Sequence, residues 1–374
     1  MKIVIDADIP FIKGVFEPYC QVLYLKGGDF TKELVKDADA LIIRTRTKCN
    51  ALLLENTSVK LVATATIGTD HIDMDFCSSS NIKVVNAAGC NSGGVMQYVF
   101  TALYALAAKK GFELPYRAAA VQNQKDIKHV MGVVGVGNVG SKVADLAEYL
   151  GFEVLRCDPL KEREQTLAFN AGRLKIEDFK DFYSLEYLLQ NSDIVTMHTW
   201  LDDNTRGMAS CTFFDSMKNG AMFINASRGE VVDERALLDR IDKFSGVILD
   251  VWNGEPAINQ ELLDKVDIAT PHIAGYSFEG KVNGTEMSVR AVADFLGISQ
   301  LKAFETCKNG YKRINVDLKG VNNLEISKKL TEIFPIFEDD FNLRNNPESF
   351  EKIRSNYHYR QEFYVNPTTK TTDC

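Results

Sequence analysis

Short apolar runs alternate with helical patterns along most of this chain, and this alternation restricts the possible folds more than any other feature. From Val130 onward six strand-like runs are present: VMGVV (130–134), EVLRC (153–157), IVTMH (194–198), AMFIN (221–225), GVILD (246–250) and DIAT (267–270). Strands that alternate with helices are joined by right-handed crossovers and form a parallel sheet. We therefore predict a doubly wound α/β domain, although periodicity alone also fits an α/β domain without a cofactor.

The first quarter of the chain repeats the pattern on a smaller scale. Its strand-like runs are KIVID, QVLYL, ALIIR, KLVAT and IKVVN. A long helical pattern at 94–109 leads into the larger domain, and a second one at 279–297 can return the chain to the first. The predicted domains are therefore a discontinuous smaller domain and a continuous larger one: 1–93 with 275–297, and 94–274.

Residues 298–374 have a different pattern, with two strands and two helices. These are RINVDL, LEISKKLTEIFPIF, PESFEKIRSNY and RQEFYV. So small an α+β segment buries too little surface to be stable alone, so we expect it to pack against its own chain or a second copy. The final NPTTKTTDC is polar, and we expect it to be frayed.

Composition excludes several classes of protein. An apolar fraction of 45% and a charged fraction of 25% are those of an ordinary globular protein, and the net charge of −8 argues against binding to nucleic acid. The eight cysteines include no CxxC pair, which indicates reduced thiols, neither a disulfide framework nor a metal site. No apolar run approaches the about 20 residues that span a bilayer, and MKIVIDADIP reads as a strand, not a signal peptide. We therefore expect a cytoplasmic protein with neither nucleic-acid nor membrane partners.

The segment GVVGVGNVG (132–140) contains a G-x-G-x-x-G motif between a predicted strand and a predicted helix. Gly135 permits the tight turn, Gly137 lets a pyrophosphate approach the backbone, and Gly140 allows the helix to pack closely on the strand. Asp158 ends the next strand, 23 residues after Gly135. An acid at this position accepts hydrogen bonds from the adenosine ribose and repels a 2′-phosphate, so we predict a dinucleotide site that prefers NAD.

Three chemically useful residues follow the carboxyl ends of different strands, where open α/β sheets bind ligands. Arg228 can hold a carboxylate with its planar fork, and His272 provides an imidazole, the side chain that most often accepts a proton near neutral pH. Glu255 can fix the histidine tautomer. Each residue alone has an ordinary reading: a surface salt bridge for Arg228, a solvated Glu255 and a helix-capping His272. Together they favour oxidation of a 2-hydroxy acid, with His272 as the base.

The four other histidines are weaker candidates. His71 lies in a turn of the smaller domain and is expected to form local hydrogen bonds. His198 ends a strand, so we expect a buried structural residue. His129 and His358 have no reactive residue types near them in sequence.

These residues resemble the NAD-dependent D-2-hydroxyacid dehydrogenases. The similar segments are GVGNVG (135–140), NASRGEVVDERALL (225–238), LDVWNGEP (249–256) and TPHIAG (270–275). The resemblance implies an NAD-binding Rossmann domain and a discontinuous flavodoxin-like substrate domain. It also implies that Arg228 binds the substrate carboxylate, Glu255 orients the histidine and His272 is the acid/base.

One branch of this family, which acts on a phosphorylated 2-hydroxy acid, is similar over nearly the whole chain. The segments that carry this similarity are RTRTKCN (44–50), ATATIGTDHID (63–73), AAGCN (87–91), HIAGYSFEGKVNGT (272–285) and the C-terminal KIRSNYHYRQEF. It implies that 298–374 is a dimerisation domain of a homodimer. The implied substrate contacts are Thr45, Thr66 and Tyr276. Position 45 is often serine in this branch, and threonine keeps the hydroxyl but adds a methyl group. The implied NAD contacts are Gly135, Gly137, Asn138, Val139, Gly140, Asp158, Thr199, Ala226, Ser227, Arg228, Asp250 and Gly275.

Two points are less determined by the resemblance. Arg44 and Lys48 follow the third strand and are candidates for the substrate phosphate, with a solvated surface as the equal alternative. The stretch LPYRAAAVQNQKDIKHV (114–130) is longer than usual, and we read it as a surface insertion.

Two other functions remain open on sequence alone. The same chemistry could act on another acid, such as 3-phosphoglycerate or glyoxylate and hydroxypyruvate. Alternatively, the chain could be an NAD(H)-sensing binding protein that retains these residues without turnover. A panel of 2-hydroxy acids separates the three.

Overall fold

The computed structural model describes residues 1–115, 129–306, 313–318 and 321–365. The chain forms two units: Met1–Asn91 with Ser277–Lys312, and Ser92–Tyr276 with Arg313–Cys374. Most of the predicted insertion at 114–130 and the predicted frayed end lie outside the described residues.

Five parallel strands form the sheet of the smaller unit. In chain order its first elements are β1 (Lys2–Asp6), β2 (Gln21–Leu25), α1 (Lys32–Val35), β3 (Ala40–Ile43), α2 (Ala51–Leu54), β4 (Leu61–Thr64), α3 (Met74–Ser79) and β5 (Lys83–Asn86). The strand order is β2-β1-β3-β4-β5, with every pair parallel. Both β3 and β4 are buried along their whole length, as expected of strands covered on both faces. This is the flavodoxin-like order.

Six parallel strands form the sheet of the larger unit. Its elements are α4 (Ser92–Lys110), β6 (Val130–Val134), α5 (Asn138–Leu150), β7 (Glu153–Cys157), α6 (Pro159–Asn170), α7 (Leu185–Asn191), β8 (Ile194–Met197), α8 (Cys211–Ser216), β9 (Met222–Asn225), α9 (Glu234–Leu238), β10 (Gly246–Leu249), α10 (Gln260–Lys265) and β11 (Ile268–Ala269). All six predicted strands are present, each within one residue of its predicted ends. The Rossmann-type α/β prediction is therefore confirmed.

The order of this sheet, β11-β10-β9-β8-β6-β7, changes direction at β6. β7 lies on one side of β6 and β8 on the other, and all neighbours are parallel. Ligands of open α/β sheets bind outside the carboxyl ends of the strands at such a switch point. The glycine loop follows β6, so the topology and the motif indicate the same position.

The chain returns to the smaller unit through α11 (Phe278–Leu296). The Ser277 side chain accepts the Gly280 N–H at 3.0 Å and so caps the start of this helix. Gly297, in the left-handed conformation at φ +73°, ends it. Val289 and Val292 pack against Ile3 and other side chains of the sheet in one buried cluster. The smaller unit is therefore built from two separate stretches of chain.

The C-terminal elements are β12 (Ile314–Val316), α12 (Asn323–Ile333), α13 (Ile336–Asn345), α14 (Phe350–Ser355) and β13 (Phe363–Val365). We predicted one helix over 324–337, and this was wrong because Pro335 separates two helices. Proline lacks the N–H that a helix requires, and it pushes the preceding residue out of helical conformation. Phe334 accordingly has φ −129° and ψ 94°.

The C-terminal elements pack onto α4 of the larger unit. Leu330 and Phe334 belong to the same buried cluster as Tyr98. The Gln97 side chain donates to the Phe363 carbonyl at 2.6 Å and accepts the Phe363 N–H at 3.0 Å. These contacts explain why residues from 313 group with the larger unit, whereas we predicted a separate domain from 298 onward.

α13 also covers the free edge of the sheet. Asp340 accepts the Ala269 N–H of β11 at 2.7 Å, and the Arg344 side chain donates to the Val266 carbonyl at 2.8 Å. An edge strand exposes unpaired backbone groups, so these side chains satisfy donors and acceptors that no strand provides. Among the described residues no helix is long and apolar enough to cross a membrane.

Leu330→Ala tests whether the C-terminal segment is part of the larger unit's core. Leu330 is 1% exposed, so the substitution should lower the free energy of unfolding by about 2–5 kcal/mol. Leu167→Ala in α6 is the matched control, because Leu167 is 57% exposed and its loss should change stability by about 0.5 kcal/mol or less. Urea unfolding followed by circular dichroism measures both, and equal effects would contradict the packing described.

Candidate active site

The glycine loop after β6 is built from two glycines that no larger residue could replace. Gly135 has φ +85°, and a Cβ there would lie 2.8 Å from the His198 carbonyl carbon. A Cβ on Gly140 would lie 1.9 Å from the Gly135 oxygen. At Gly137, by contrast, a Cβ would meet nothing within 4 Å. Gly135 and Gly140 therefore close the loop, and Gly137 leaves space for a ligand.

This loop ends at the N-terminus of α5, where Gly137 provides no side-chain cap. Asn138 and Val139 begin the helix, whose free N–H groups and positive dipole end suit an anion. Thr199 lies shortly after β8 and packs closely against the glycine loop. A Cβ added at Gly135 would lie only 2.9 Å from the Thr199 backbone nitrogen. The Thr199 hydroxyl is buried and has no hydrogen-bond partner within the described parts of the chain. An open glycine, an uncapped helix start and a buried donor fit a bound dinucleotide.

Asp158 directly follows β7 and lies beside the loop, where the motif places it. One carboxylate oxygen accepts the Val136 N–H at 2.8 Å, and the other accepts the Lys161 N–H at 3.0 Å, which caps α6. Each oxygen keeps a second lone pair that can accept from a ribose hydroxyl. The bond to Val136 ties the glycine loop to β7, a role that we did not predict.

The structure brings His272 and Glu255 into direct contact. A hydrogen bond of 2.8 Å joins His272 Nδ1 to Glu255 Oε2, and Glu255 Oε1 accepts the Trp252 N–H at 3.0 Å. Burial alone raises the pKa of Glu255. The positive charge and hydrogen bond of His272, the Trp252 N–H and the Arg354 charge together hold that pKa below its ordinary value. A carboxylate on Nδ1 fixes the tautomer and leaves Nε2 to exchange protons.

Asp250 holds the turn that carries His272. Its carboxylate, 1% exposed, accepts the Ile273 N–H at 2.8 Å, the Ala274 N–H at 2.9 Å and the Thr270 hydroxyl at 2.7 Å. Its carbonyl accepts the His272 N–H at 2.7 Å. Burial raises the pKa of Asp250, opposed by His272 and by these hydrogen bonds.

The sequence suggested a different role for Asp250. We expected both Asp250 and Gly275 to contact NAD, and both contacts stay predictions. The hydrogen bonds of its carboxylate point to support of the turn instead. His272 has φ +56°, which costs a non-glycine residue about 1–3 kcal/mol, so the turn needs such support.

Arg228 is presented by a turn that Asn225 organises. The Asn225 side chain donates to the Arg228 carbonyl at 2.9 Å and accepts the Ser227 N–H at 3.0 Å. Ala226 and Ser227 lie between β9 and Arg228, as predicted. A Cβ on the following Gly229 would lie 2.0 Å from the Trp252 carbonyl, so the turn packs directly on the loop that carries Glu255.

The C-terminal segment reaches the same loops, which sequence reasoning missed. Arg360, 8% exposed, donates to the Ile273 carbonyl at 3.0 Å, the Tyr276 carbonyl at 3.3 Å and the Gly94 carbonyl at 2.9 Å, and it also donates to Ala274. It therefore clamps the turn that follows His272. The segment KIRSNYHYRQEF was the available signal, but we expected it only to pack against its own chain or a second copy and gave it no role at the site.

Arg354 lies in the same segment and faces Glu255. Its guanidinium is 3.6 Å from Glu255 Oε2 and 6.0 Å from the centre of the Tyr276 ring. Tyr276 also packs edge-on against Tyr357, with ring centres 6.1 Å apart. The predicted substrate residue Tyr276 thus lies within the larger unit, against the C-terminal segment.

The remaining predicted residues lie in the smaller unit, after β3 and β4. Thr45 and Lys48 are exposed, and Arg44 is half-buried, with a hydrogen bond of 3.2 Å to the Asp8 carbonyl. The Thr66 hydroxyl bonds to Thr64 at 2.7 Å. Thr64 in turn lies 3.3 Å from His71 Nε2, in agreement with the local role expected of His71.

His198 has a structural environment. Its Nε2 bonds to the Thr196 hydroxyl at 2.9 Å, and burial lowers its pKa to about 3. The imidazole is therefore neutral at physiological pH and is not poised to exchange protons.

Comparison with known proteins agrees with this geometry. The model of the D-isomer specific 2-hydroxyacid dehydrogenase NAD binding domain matches residues 108–274. Among solved structures, a 3-phosphoglycerate dehydrogenase of Entamoeba histolytica with bound NAD+ has a TM-score of 0.62 and 24% identity, over 82% of this chain and 99% of that one. At this identity the likeness concerns the fold alone.

Two curated relatives are similar over almost the full length. A protein of Bacteroides thetaiotaomicron is 40% identical over 370 residues, which are 97% of each chain. A protein of Escherichia coli O157:H7 is 38% identical over 373 residues, which are 97% of this chain and 92% of that one. The chain therefore belongs to the D-isomer-specific 2-hydroxyacid dehydrogenase family, as an NAD-dependent enzyme. Both full-length relatives are named erythronate-4-phosphate dehydrogenase.

Asp158→Ala tests the predicted preference for NAD. Loss of a charged acceptor should weaken use of NAD about 10–100-fold while removing the repulsion of a 2′-phosphate, so the ratio of kcat/KM for NAD to that for NADP should fall. Asp181→Ala, an exposed aspartate in the same unit, is the matched control. A ratio in Asp158→Ala equal to that of the wild type would remove Asp158 from ribose recognition.

Proposed function

We propose that the protein oxidises 4-phospho-D-erythronate to (R)-3-hydroxy-2-oxo-4-phosphooxybutanoate with NAD, as a step in the synthesis of pyridoxal 5′-phosphate. The hydrogen bond of 2.8 Å between His272 and Glu255 carries the chemical part of this proposal. The names of relatives 38–40% identical over 97% of the chain support the choice of substrate.

The proposed reaction assigns one task to each residue. His272 Nε2 takes the C2 hydroxyl proton, while Glu255 stabilises the imidazolium through Nδ1. Arg228 binds the substrate carboxylate, because a guanidinium can donate two parallel hydrogen bonds to it. When bound, NAD supplies the nicotinamide C4 that accepts hydride from the substrate C2.

Recognition of the rest of the substrate is also proposed. Thr45, Thr66 and Tyr276 contact the substrate, and Arg44 and Lys48 are the candidates for its phosphate. Arginine and lysine are the side chains that phosphate groups prefer. The family resemblance supports these assignments.

We also propose a cytoplasmic homodimer that associates through the C-terminal segment. Leu324 of α12 and Phe341 of α13 are 67% and 66% exposed, and large apolar side chains on one segment favour a protein contact. Light scattering after size exclusion measures the mass of the assembly. A monomer at micromolar concentration would contradict the dimer.

Two rival functions stay testable. The protein could use the same chemistry on 3-phosphoglycerate, or on glyoxylate and hydroxypyruvate, or it could sense NAD(H) without turnover. The decisive experiment adds 4-phospho-D-erythronate, 3-phosphoglycerate and D-lactate separately to protein with NAD and follows NADH absorbance. A 2-oxo acid acceptor is included in parallel assays, with chemical detection of products, because tightly held NADH would hide turnover.

The outcomes of this experiment separate the functions. Selective oxidation of phosphoerythronate supports the proposal. Preference for another acid keeps the cofactor and His272 but changes the substrate. Absence of turnover on all three acids, with NADH still bound, favours the sensor.

His272→Ala tests the proposed base. Loss of a general base should lower kcat by about 10²–10⁴-fold, while NAD still binds. His358→Ala is the control, because His358 is exposed and has no proposed role. Near-normal turnover in His272→Ala would exclude His272 from the proton transfer.

A further inference from the structure

Glu255 Oε2 is shared between two partners. The oxygen lies 2.8 Å from His272 Nδ1 and 3.6 Å from Arg354 Nη1. Arg354 belongs to α14, about 100 residues further along the chain than Glu255. The C-terminal segment therefore brings a positive charge to the same carboxylate oxygen that contacts the proposed base.

The contacts of Arg354 differ in kind from those of the nearby Arg360. Arg360, in the same segment, donates to four backbone carbonyls. Arg354, whose side chain is 22% exposed, instead faces side chains: its Nη1 lies 3.6 Å from Glu255 Oε2 and 3.8 Å from Glu351 Oε2, and its guanidinium lies 6.0 Å from the centre of the Tyr276 ring. Arg360 therefore supports the backbone of the turn, whereas Arg354 places its charge against the carboxylate that contacts His272.

The charge of Arg354 has a chemical consequence for the base. A carboxylate beside an imidazole favours the protonated imidazolium, and an imidazolium cannot accept the proton that leaves the substrate hydroxyl. A cation on the same carboxylate opposes this effect. Arg354 can therefore offset part of the Glu255 charge without disturbing the hydrogen bond that fixes the tautomer.

Several other charged or titratable groups surround the pair. Glu351 lies 3.8 Å from Arg354 on α14. Asp250 at the end of β10 and Glu234 of α9 add negative charge near His272 and Glu255 respectively. Tyr276 faces Arg354, and Asp339 of α13 bonds to Tyr357. Among the described arginines, Arg354 forms an ion pair with the Glu255 carboxylate, whereas Arg360 donates to backbone carbonyls.

We propose that Arg354 is a positioning residue that acts through Glu255, and that its charge keeps His272 neutral often enough to serve as the base. This inference rests on the proposed role of His272. Arg354 stays charged: burial lowers its pKa, but Tyr276, Glu255 and Glu351 outweigh that effect and hold the pKa above its ordinary value.

The direct test measures the pKa of His272 by NMR of the whole protein with ¹³C-labelled histidine. The chain has five histidines, and His272→Gln assigns the resonance. Arg354 Nη1 and His272 Nδ1 lie 3.6 Å and 2.8 Å from the same oxygen and are therefore no more than 6.4 Å apart. Arg354→Gln should raise the pKa of His272 by about one unit, since a unit charge at such a distance has an effect of this order at an effective dielectric constant near 20 after screening. Arg354→Lys keeps the charge and should restore most of the wild-type value.

Two further variants sharpen the test. Lys352→Gln removes the same charge from an exposed position on α14 and should leave the pKa of His272 unchanged. Glu351→Gln is also at an exposed position, so it should fold normally, and it removes an anion that faces Arg354. It should lower the pKa of His272 by a few tenths of a unit, the opposite sign to Arg354→Gln.

Kinetics provide an independent readout. Oxidation needs neutral His272, so kcat/KM rises with pH through its pKa, and in Arg354→Gln this limb should move to higher pH by the shift that NMR measures. The loss should be about tenfold at low pH and small at high pH, whereas a structural defect would lower activity at every pH.

The proposal is overturned by an unchanged or lowered pKa of His272 in Arg354→Gln, or by an equal rise in Arg354→Lys. If Arg354→Gln does not fold, an unchanged or raised value in Glu351→Gln overturns it instead. The NMR titration needs no substrate. Failure of the wild type to oxidise phosphoerythronate would therefore count against the proposed function and leave the test of Arg354 intact.

Discussion

The buried carboxylate of Asp250 is the constraint on which the candidate site depends. It gathers the Ile273 and Ala274 N–H groups and the Thr270 hydroxyl, while its own carbonyl takes the His272 N–H. A left-handed residue without glycine's freedom is held in place only by such surroundings. Hydrogen bonds to a charged acceptor are the stronger kind, and burial increases their effect. Because the turn is fixed, the His272 ring is already placed to form its hydrogen bond with Glu255, and little conformational entropy is lost when that bond forms.

The other loops are braced in a similar way. Asn225 organises the turn that presents Arg228, and Gly229 allows that turn to lie against Trp252. From the C-terminal segment, Arg360 holds the carbonyls on the far side of the His272 turn. The site in the larger unit is thus assembled from the loops after β9, β10 and β11 and from the C-terminal segment. Arg360 in that segment lies 87 residues beyond Ile273, whose carbonyl it holds.

The parts of this architecture that follow from local pattern could be predicted from the sequence. Strand positions follow from short buried runs, and the glycine loop follows from steric limits at Gly135 and Gly140. Strands that run in parallel bring their ends together, so Glu255 and His272 could be expected to meet.

Features that depend on distant contacts could not be predicted. The break at Pro335, by contrast, was a local signal that we underestimated, since proline is tolerated in the first turn of a helix and Pro335 immediately precedes α13. Two sets of contacts join residues far apart in sequence: Phe334 and Leu330 pack on α4, and Arg354 and Arg360 reach the loops of the site. Neither hydrophobic periodicity nor a sequence motif encodes such contacts. The supporting role of Asp250 was also missed. Its partners lie 20 to 24 residues further along the chain, and an aspartate at a strand end is equally suited to binding a ligand.

The most direct test of the site's construction is the rate of hydride transfer in Asp250→Asn, measured in a single turnover with saturating NAD and phosphoerythronate. An amide presents one acceptor oxygen and an NH₂ group, which would face a backbone N–H and break at least one of the hydrogen bonds that hold the turn. A displacement of about 1 Å at the base should slow the transfer about a hundredfold. If Asp250 holds the turn, Asp250→Asn will remain folded but will transfer hydride at this slower rate. A wild-type rate in Asp250→Asn would contradict it.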